Sequence, residues 1–239
     1  MPFSKKTSEF LECERWWILA TLMYVGGFFG GFTFSVRGGV FCNAQTANFV
    51  LLAMAIGNGD WPQARYLVIP ITAYFLGAVV SEELGSRIKQ YKFIRWDTLL
   101  IVIEIMVVIV LGFIPDSAPF QISQVAVNFI CSMQYNTFRQ AEGIPMATTF
   151  VTNHIRQTGI WTVTAIRKKD PAARSRAWKH FRMVAVFFLG GLLLTLCCSA
   201  LQEKAIWVAV LPLAVTLVLL LRADLVMERQ LFDLKPHGH

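Results

Sequence analysis

Arg156 is the residue whose chemistry most needs an explanation. It stands three positions after Asn153 and two after His154, inside the largely apolar segment 144–166. A charge at mid-membrane depth costs ~2.5–3.5 kcal/mol on insertion scales, so it needs a partner or an aqueous cavity. A guanidinium offers a fixed fork of donors, which suits an anion clamp or a cation-excluding gate. The competing role is to snorkel to headgroups or to pair with Glu142 or Glu104. The same segment carries Thr148, Thr149, Thr152, Gln157 and Thr158. A second polar group, Asn43, Gln45, Thr46 and Asn48, follows Gly38-Gly39 in segment 38–57. Glu104 is isolated in the apolar run 99–110. It is a relay carboxylate or a structural partner to Arg156. Histidine titrates near neutral pH, so Glu104 and His154 are the candidates for proton coupling, against a plain interhelical role for His154.

The elements that must position these residues follow from composition. Of 239 residues, 55% are hydrophobic and 15% are charged, with a mean hydropathy of +0.53. Soluble domains carry about 25% charge. The composition excludes disorder and collagen-like repeats and predicts an all-α polytopic membrane protein, a single membrane domain over 1–239. The net charge of +7 falls in short runs between apolar segments. That pattern reads as orientation signal and contact with membrane lipids, with no nucleic acid as partner. The five cysteines show no metal-ligand spacing and read as packing residues. No cleavable leader precedes the first apolar run. The tail histidines, His237 and His239, make at most a weak metal site.

Apolar segments lie at roughly 17–36, 38–57, 62–80, 97–114, 120–137, 144–166, 183–200 and 205–221. If 38–57 and 144–166 return to the side they entered from, six transmembrane helices remain. Most of the 22 Lys and Arg then share one side. The basic loops 81–96 and 167–182 are among them. The positive-inside rule favours this arrangement, with both termini cytoplasmic in a bacterial inner membrane.

The chain also repeats itself. Thr33-Phe34 and Gly39 recur at Thr137-Phe138 and Gly143, Asp60 and Pro62 at Asp170-Pro171, and Ala73–Ala78 at Ala185–Gly191. The halves are 17–114 and 120–221. Three spans per half force the second to insert upside down, an inverted-topology repeat with two re-entrant, broken segments meeting near the midplane. Asn43 to Thr46 and Thr148 to Thr152 suit helix N-caps, with helices over 47–57 and 153–166. Two helix N-termini at the bilayer centre favour an anion or a polar molecule. The alternative is two polar-rich full helices packed through Thr and Asn. Gly27 and Gly31 form a G-x-x-x-G that fits a close crossing within the chain or in a homodimer. Arg37 reads as an outer-mouth anchor.

The residues now named resemble a family. Gly26-Gly27-Phe-Phe-Gly-Gly-Phe-Thr-Phe34, Arg37-Gly-Gly-Val-Phe41 and Gln45-Thr-Ala-Asn48 look like the first half of the YoaK-like bacterial membrane proteins. Asn128–Asn136 and Thr149-Phe-Val-Thr-Asn153 are similar to its second half. The resemblance covers roughly 20–200 and implies a domain of unknown function with about six spans. Phe32 or Thr33 stands where the family motif has an acid, and Ala47 and Asn153 where glycine is usual. The resemblance implies no substrate.

The sequence carries no nucleophile elbow, zinc-protease, P-loop or dinucleotide motif, so neither an enzyme nor a cofactor or metal is expected. The expected function is a transporter or channel for a small anionic or polar solute. Asn43, Gln45, Thr46, Asn48, Thr149, Thr152, Asn153 and Arg156 would bind that solute. The alternatives are a non-transporting scaffold, or a membrane enzyme or lipid-handling protein.

Overall fold

The computed structural model describes residues 10–88, 93–232, 234 and 236. His237 and His239 lie outside the described residues, as do Lys89 and Lys92 of the basic stretch 81–96. The described chain is almost wholly helical: α1 (Trp16–Ser35), α2 (Gln45–Gly57), α3 (Trp61–Ile88), α4 (Trp96–Leu111), α5 (Phe120–Thr137), α6 (Thr152–Lys168), α7 (Pro171–Leu201) and α8 (Val210–Arg222). A two-stranded hairpin, β1 (Gln140–Ala141) and β2 (Ile144–Pro145), separates α5 from α6. Among the described residues, three stretches are long and apolar enough to cross a membrane: Trp16–Ser35, Trp61–Ile88 and Pro171–Met227. The third is broken where Gln202 adopts a φ of 50° and a 3-10 turn, Gln202–Ala209, leads into α8.

Helix α1 is apolar on every face, and a helix of that kind belongs in a core. It is buried along most of its length. It packs chiefly against α7, while α3 packs chiefly against α5, and α4 closes against α8. The two main crossings share one device. A Cβ on Gly190 of α7 would lie 2.0 Å from the Tyr24 carbonyl oxygen of α1, and one on Gly77 of α3 would lie 2.4 Å from that of Phe129 on α5. Only a missing side chain lets the backbones come so close. Gly27 and Gly31 also serve inside the chain, against Phe187 and Leu194 of α7.

Several expectations change here. The stretch 81–96 is helical as far as Ile88. The stretch 167–182 is mostly the end of α6 and the first third of α7, joined at Lys169 in a left-handed conformation. Lysine and arginine are good helix formers, so a basic run need not be a loop. Residues 138–145 fold as a hairpin because Glu142 and Gly143 both take positive φ, 49° and 74°, as a two-residue primed turn requires. Asp60 and Asp170 do cap the helices they precede, accepting from the backbone N–H of Gln63 (3.1 Å) and Ala172 (2.8 Å).

The hairpin turn is bolted to the starts of two helices. Lys179 Nζ of α7 donates to Glu142 Oε2 at 2.6 Å, and the Trp16 N–H reaches Oε1 at 3.5 Å. Burial alone would raise the Glu142 carboxyl. The Lys179 hydrogen bond and charge, the Trp16 N–H and Arg15 outweigh it and hold the group below its usual value. A depressed carboxylate pKa gives stability that is complete above the usual value of 4.5 and is lost as pH falls through the folded value. Unfolding of wild type and Glu142→Gln across pH 3–7 (roughly the linkage window) checks this. Wild type is the more stable near neutrality, and the gap closes on acidification. A gap independent of pH would contradict the ion pair.

The crossings predict a second contrast. Gly190→Ala should cost about 2 kcal/mol or more, because backbone on both sides must move. Gly159→Ala on α6, whose Cβ would meet nothing within 4 Å, should be neutral or stabilising. Thermal unfolding in detergent reads both, and an unchanged midpoint for Gly190→Ala would refute the close crossing.

Candidate functional site

Both irregular segments enter the molecule between α1 and α5. The first arm runs 36–44 and opens with Gly38 and Gly39 at φ 83° and 77°. The second runs 138–151. Backbone buried outside a helix must find partners for its N–H and C=O groups, and side chains of α1 and α5 supply several. Gln124 Nε2 donates to the Arg37 carbonyl at 2.6 Å. Gln134 Nε2 lies 3.3 Å from the carbonyls of Thr148 and Leu22. Thr33 Oγ1 accepts from the Cys42 N–H at 3.2 Å. The arm answers in kind: Asn43 Nδ2 donates to the Gly26 carbonyl at 2.8 Å.

The predicted site residues divide into two groups. Asn43, Gln45, Asn48, Thr149 and His154 are buried or half-buried in this interior. Gln45 Nε2 donates to Asn128 Oδ1 of α5 at 2.7 Å, and Asn48 Nδ2 to the Phe41 carbonyl at 2.7 Å and to Gln45 Oε1 at 3.2 Å. Thr46, Thr152 and Arg156 are exposed. The expected side-chain caps are not made: Ala44 and Val151 occupy the N-cap positions of α2 and α6, and neither helix has a side-chain cap bond. Asn43 is instead engaged with the Gly26 carbonyl.

Arg156 donates to Asn153 Oδ1 at 3.0 Å, on its own helix face. Its expected alternative partners are placed elsewhere: Glu142 holds Lys179, and Glu104 is fully buried on α4 with no hydrogen-bond partner for either oxygen among the described residues. Arg37 is no surface anchor. It is fully buried and donates to the Ile114 carbonyl (2.7 Å), with the Pro115 carbonyl and Asp116 at 3.4 Å. The turn after α4 leaves these carbonyls pointing inward, and the guanidinium gathers them.

A cavity of about 350 Å³ opens beside the second arm. Tyr135, Asn136 and Arg139 form one wall, and Pro145, Met146, Ala147, Phe150 and Asn153 the other. Arg139 bonds Glu82 (2.8 Å) and Asn136 Oδ1 (2.9 Å). Arg156 is tied to this vestibule through Asn153. The vestibule therefore offers guanidinium and amide donors at its edge, while the interior behind it offers mostly acceptors. Asn48 Oδ1, Gln124 Oε1, Gln134 Oε1 and the hydroxyls of Ser132 and Thr148 find no partner among the described residues.

Sequence reasoning placed α5 as the apolar segment 120–137 but missed the role of its amides. Its Gln124, Asn128, Ser132 and Gln134 are buried, and amides at this density in a predicted span were signal enough to mark it. It also missed His180. His154 Nε2 lies 3.0 Å from the Ala147 carbonyl, and His154 Nδ1 lies 3.0 Å from His180 Nδ1 on α7. A carbonyl only accepts, so the proton of neutral His154 is on Nε2. His154 Nδ1 must then accept, and His180 carries its proton on Nδ1. The pair thus ties the second arm to α7. Nitrogen-15 histidine spectra of protein lacking His237 and His239 test this. Nε2–H at His154 and Nδ1–H at His180 are expected near neutral pH, and the same tautomer at both would exclude the arrangement.

No curated protein and no solved structure matches this chain. One family does, over residues 18–219, and its description is a protein of unknown function. The match takes in all eight helices but the ends of α1 and α8, both arms and the vestibule, and it agrees with the YoaK-like resemblance carried by the glycine and threonine motifs. The chain belongs to this family of proteins of unknown function, DUF1275.

Proposed function

We propose that the protein is an integral membrane transporter or channel for a small polar or anionic solute. In this reading α1, α3, α4, α5, α7 and α8 span a bacterial inner membrane and both termini are cytoplasmic. Helices α2 and α6 are the returning limbs of two re-entrant segments, and the halves form an inverted repeat. Matched geometry supports the repeat. Residues 38 and 39, and their counterparts 142 and 143, all take positive φ. Gly77 and Gly190 make equivalent crossings, and Asp60 and Asp170 make equivalent caps.

The observation that carries the reading is the set of unmet acceptors between the arms. Each buried polar atom left without a partner costs about 1–3 kcal/mol, and native interiors keep few of them. A path that admits a hydrogen-bonding solute gives them partners in turn. Acceptors outnumber donors there, which favours a polar solute with N–H or O–H groups. Arg156 beside the vestibule extends the reading to anions, since Arg139 is already paired with Glu82. Glu104 and His154 are its proton-coupling groups. The scaffold reading has one supporting observation: the amides of the first arm and of α2 already find partners inside the protein, Asn43 at Gly26, Gln45 at Asn128 and Asn48 at Phe41.

Flux into proteoliposomes tests the proposal, with small inorganic anions, monocarboxylates and neutral polar solutes as the panel. Asn153→Ala should lower flux of one class about ten-fold or more (one strong hydrogen bond to a solute) with an unchanged thermal midpoint. Arg156→Gln should lower anion flux more than neutral flux. Folded protein that moves none of the panel favours the scaffold.

A further inference from the structure

Helices α6 and α7 carry a groove that the arms and the vestibule do not use. The groove holds about 650 Å³ and is lined by Thr158, Thr162, Arg174, Ser175, Trp178 and Phe181. Its position follows from how α7 meets α1. Arg182 lies 4.0 Å above the ring of Trp16, the first residue of α1. From there the two helices run side by side, Gly27 against Phe187 and Gly31 against Leu194. The stretch of α7 from Pro171 to Phe181 therefore runs past the end of α1, by about 16 Å at the helical rise. Helix α6 accompanies it.

The chemistry of this projecting pair is two-sided. Trp178 and Phe181 stack at 5.3 Å and 20°, and both are exposed, 58% and 47%. Stacked exposed rings need an apolar neighbour, and Trp is enriched where membranes meet water. The stretch 167–182 carries Arg167, Lys168, Lys169, Arg174, Arg176, Lys179 and Arg182, with Asp170 as its one acidic residue. Asp170 is engaged in capping α7. Lys179 is held by Glu142, Arg176 by the Trp161 ring at 4.8 Å, and Arg182 by Trp16. Arg174 makes no ion pair or side-chain hydrogen bond among the described residues, and it lines the groove beside the hydroxyls of Ser175, Thr158 and Thr162.

We infer that this groove binds an anionic phospholipid. Arg174 presents its fork to the phosphate, since guanidinium matches phosphate in bidentate geometry. Ser175 and Thr162 hydrogen-bond the headgroup, and Trp178 and Phe181 lie along the acyl chains. The inference rests on the membrane reading alone and is independent of transport.

The test measures retention of phosphatidylglycerol and phosphatidylcholine on full-length protein by native mass spectrometry. Wild type, Arg174→Gln and Arg167→Gln are compared, with Arg167 outside the groove. Phosphatidylglycerol should be retained over phosphatidylcholine. Its affinity should fall about five-fold in Arg174→Gln, the usual contribution of one basic residue at an anionic surface. Arg167→Gln should bind as wild type does, and all three should share one thermal midpoint. Equal losses in the two variants would mean a diffuse basic surface. Equal retention of the two lipids would overturn the charge requirement. Displacement by inorganic phosphate alone would make it a phosphate site. Each of these three results refutes the lipid groove, whatever the flux assay finds.

Discussion

Two stretches of irregular backbone buried between α1 and α5 govern this structure. Neither arm satisfies all of its own peptide groups, and buried irregular backbone must find the remaining partners elsewhere. The consequences spread outward. Helix α5 carries amides where a plain apolar helix would carry leucine, and Gln124 and Gln134 reach the carbonyls of Arg37 and Thr148. Helix α1 must be smooth enough to lie against both arms. A Cβ on Gly26 would sit 2.6 Å from the Thr148 carbonyl, and one on Gly30 would sit 2.8 Å from Asn43. On the adjacent face Gly27 and Gly31 take α7. The glycine run of α1 is thus read twice, once by the arms and once by a helix.

The arms are not equal in how they are satisfied. The first is closed by amides: Gln45 donates to the Asn128 side chain, and Asn48 and Asn43 donate to the carbonyls of Phe41 and Gly26. The second has its own hairpin, with the Met146 N–H on the Arg139 carbonyl at 3.0 Å, and further groups are lent to it by other elements. Gln134 serves Thr148, the His154–His180 pair serves Ala147, and Lys179 holds the hairpin turn. The vestibule opens on this side.

Much of this was legible in the residues. The two polar segments, their glycine entries and the helices that follow were readable because periodicity and turn chemistry act locally. The offset that matches Gly39 to Gly143 was visible as letters, and it turns out to mark shared backbone conformation. Partner choice was less legible. Nothing in the spacing of Asn43 says that its amide goes to Gly26 rather than to a helix N-terminus. Nothing around Arg37 announces that the carbonyls after α4, far along the chain, converge on it. His154 and Arg156 stand two residues apart, about half a helix turn, and their fates differ: one is buried against α7 and the other is exposed. That division is set by which face of α6 meets α7, a tertiary fact. The amides of α5 were a missed signal of another kind, since their burial follows from their number alone.

The mixed polarity of the interior constrains mechanism further. The vestibule edge carries guanidinium groups that attract negative charge, whereas the atoms left unmet behind it are chiefly oxygen acceptors. On the proposed reading, an anion held at the edge by Arg156 would meet chiefly acceptors deeper in and would depend there on hydroxyl donors such as Ser132 and Thr148. A neutral polar solute would find donors first and acceptors next, and could exchange partners step by step without carrying charge across the centre. Glu104 sharpens the point: a carboxyl buried without a counter-charge is costly to ionise beside another anion. On the proposed transport reading, the centre would select by hydrogen-bond pattern and the edge by charge.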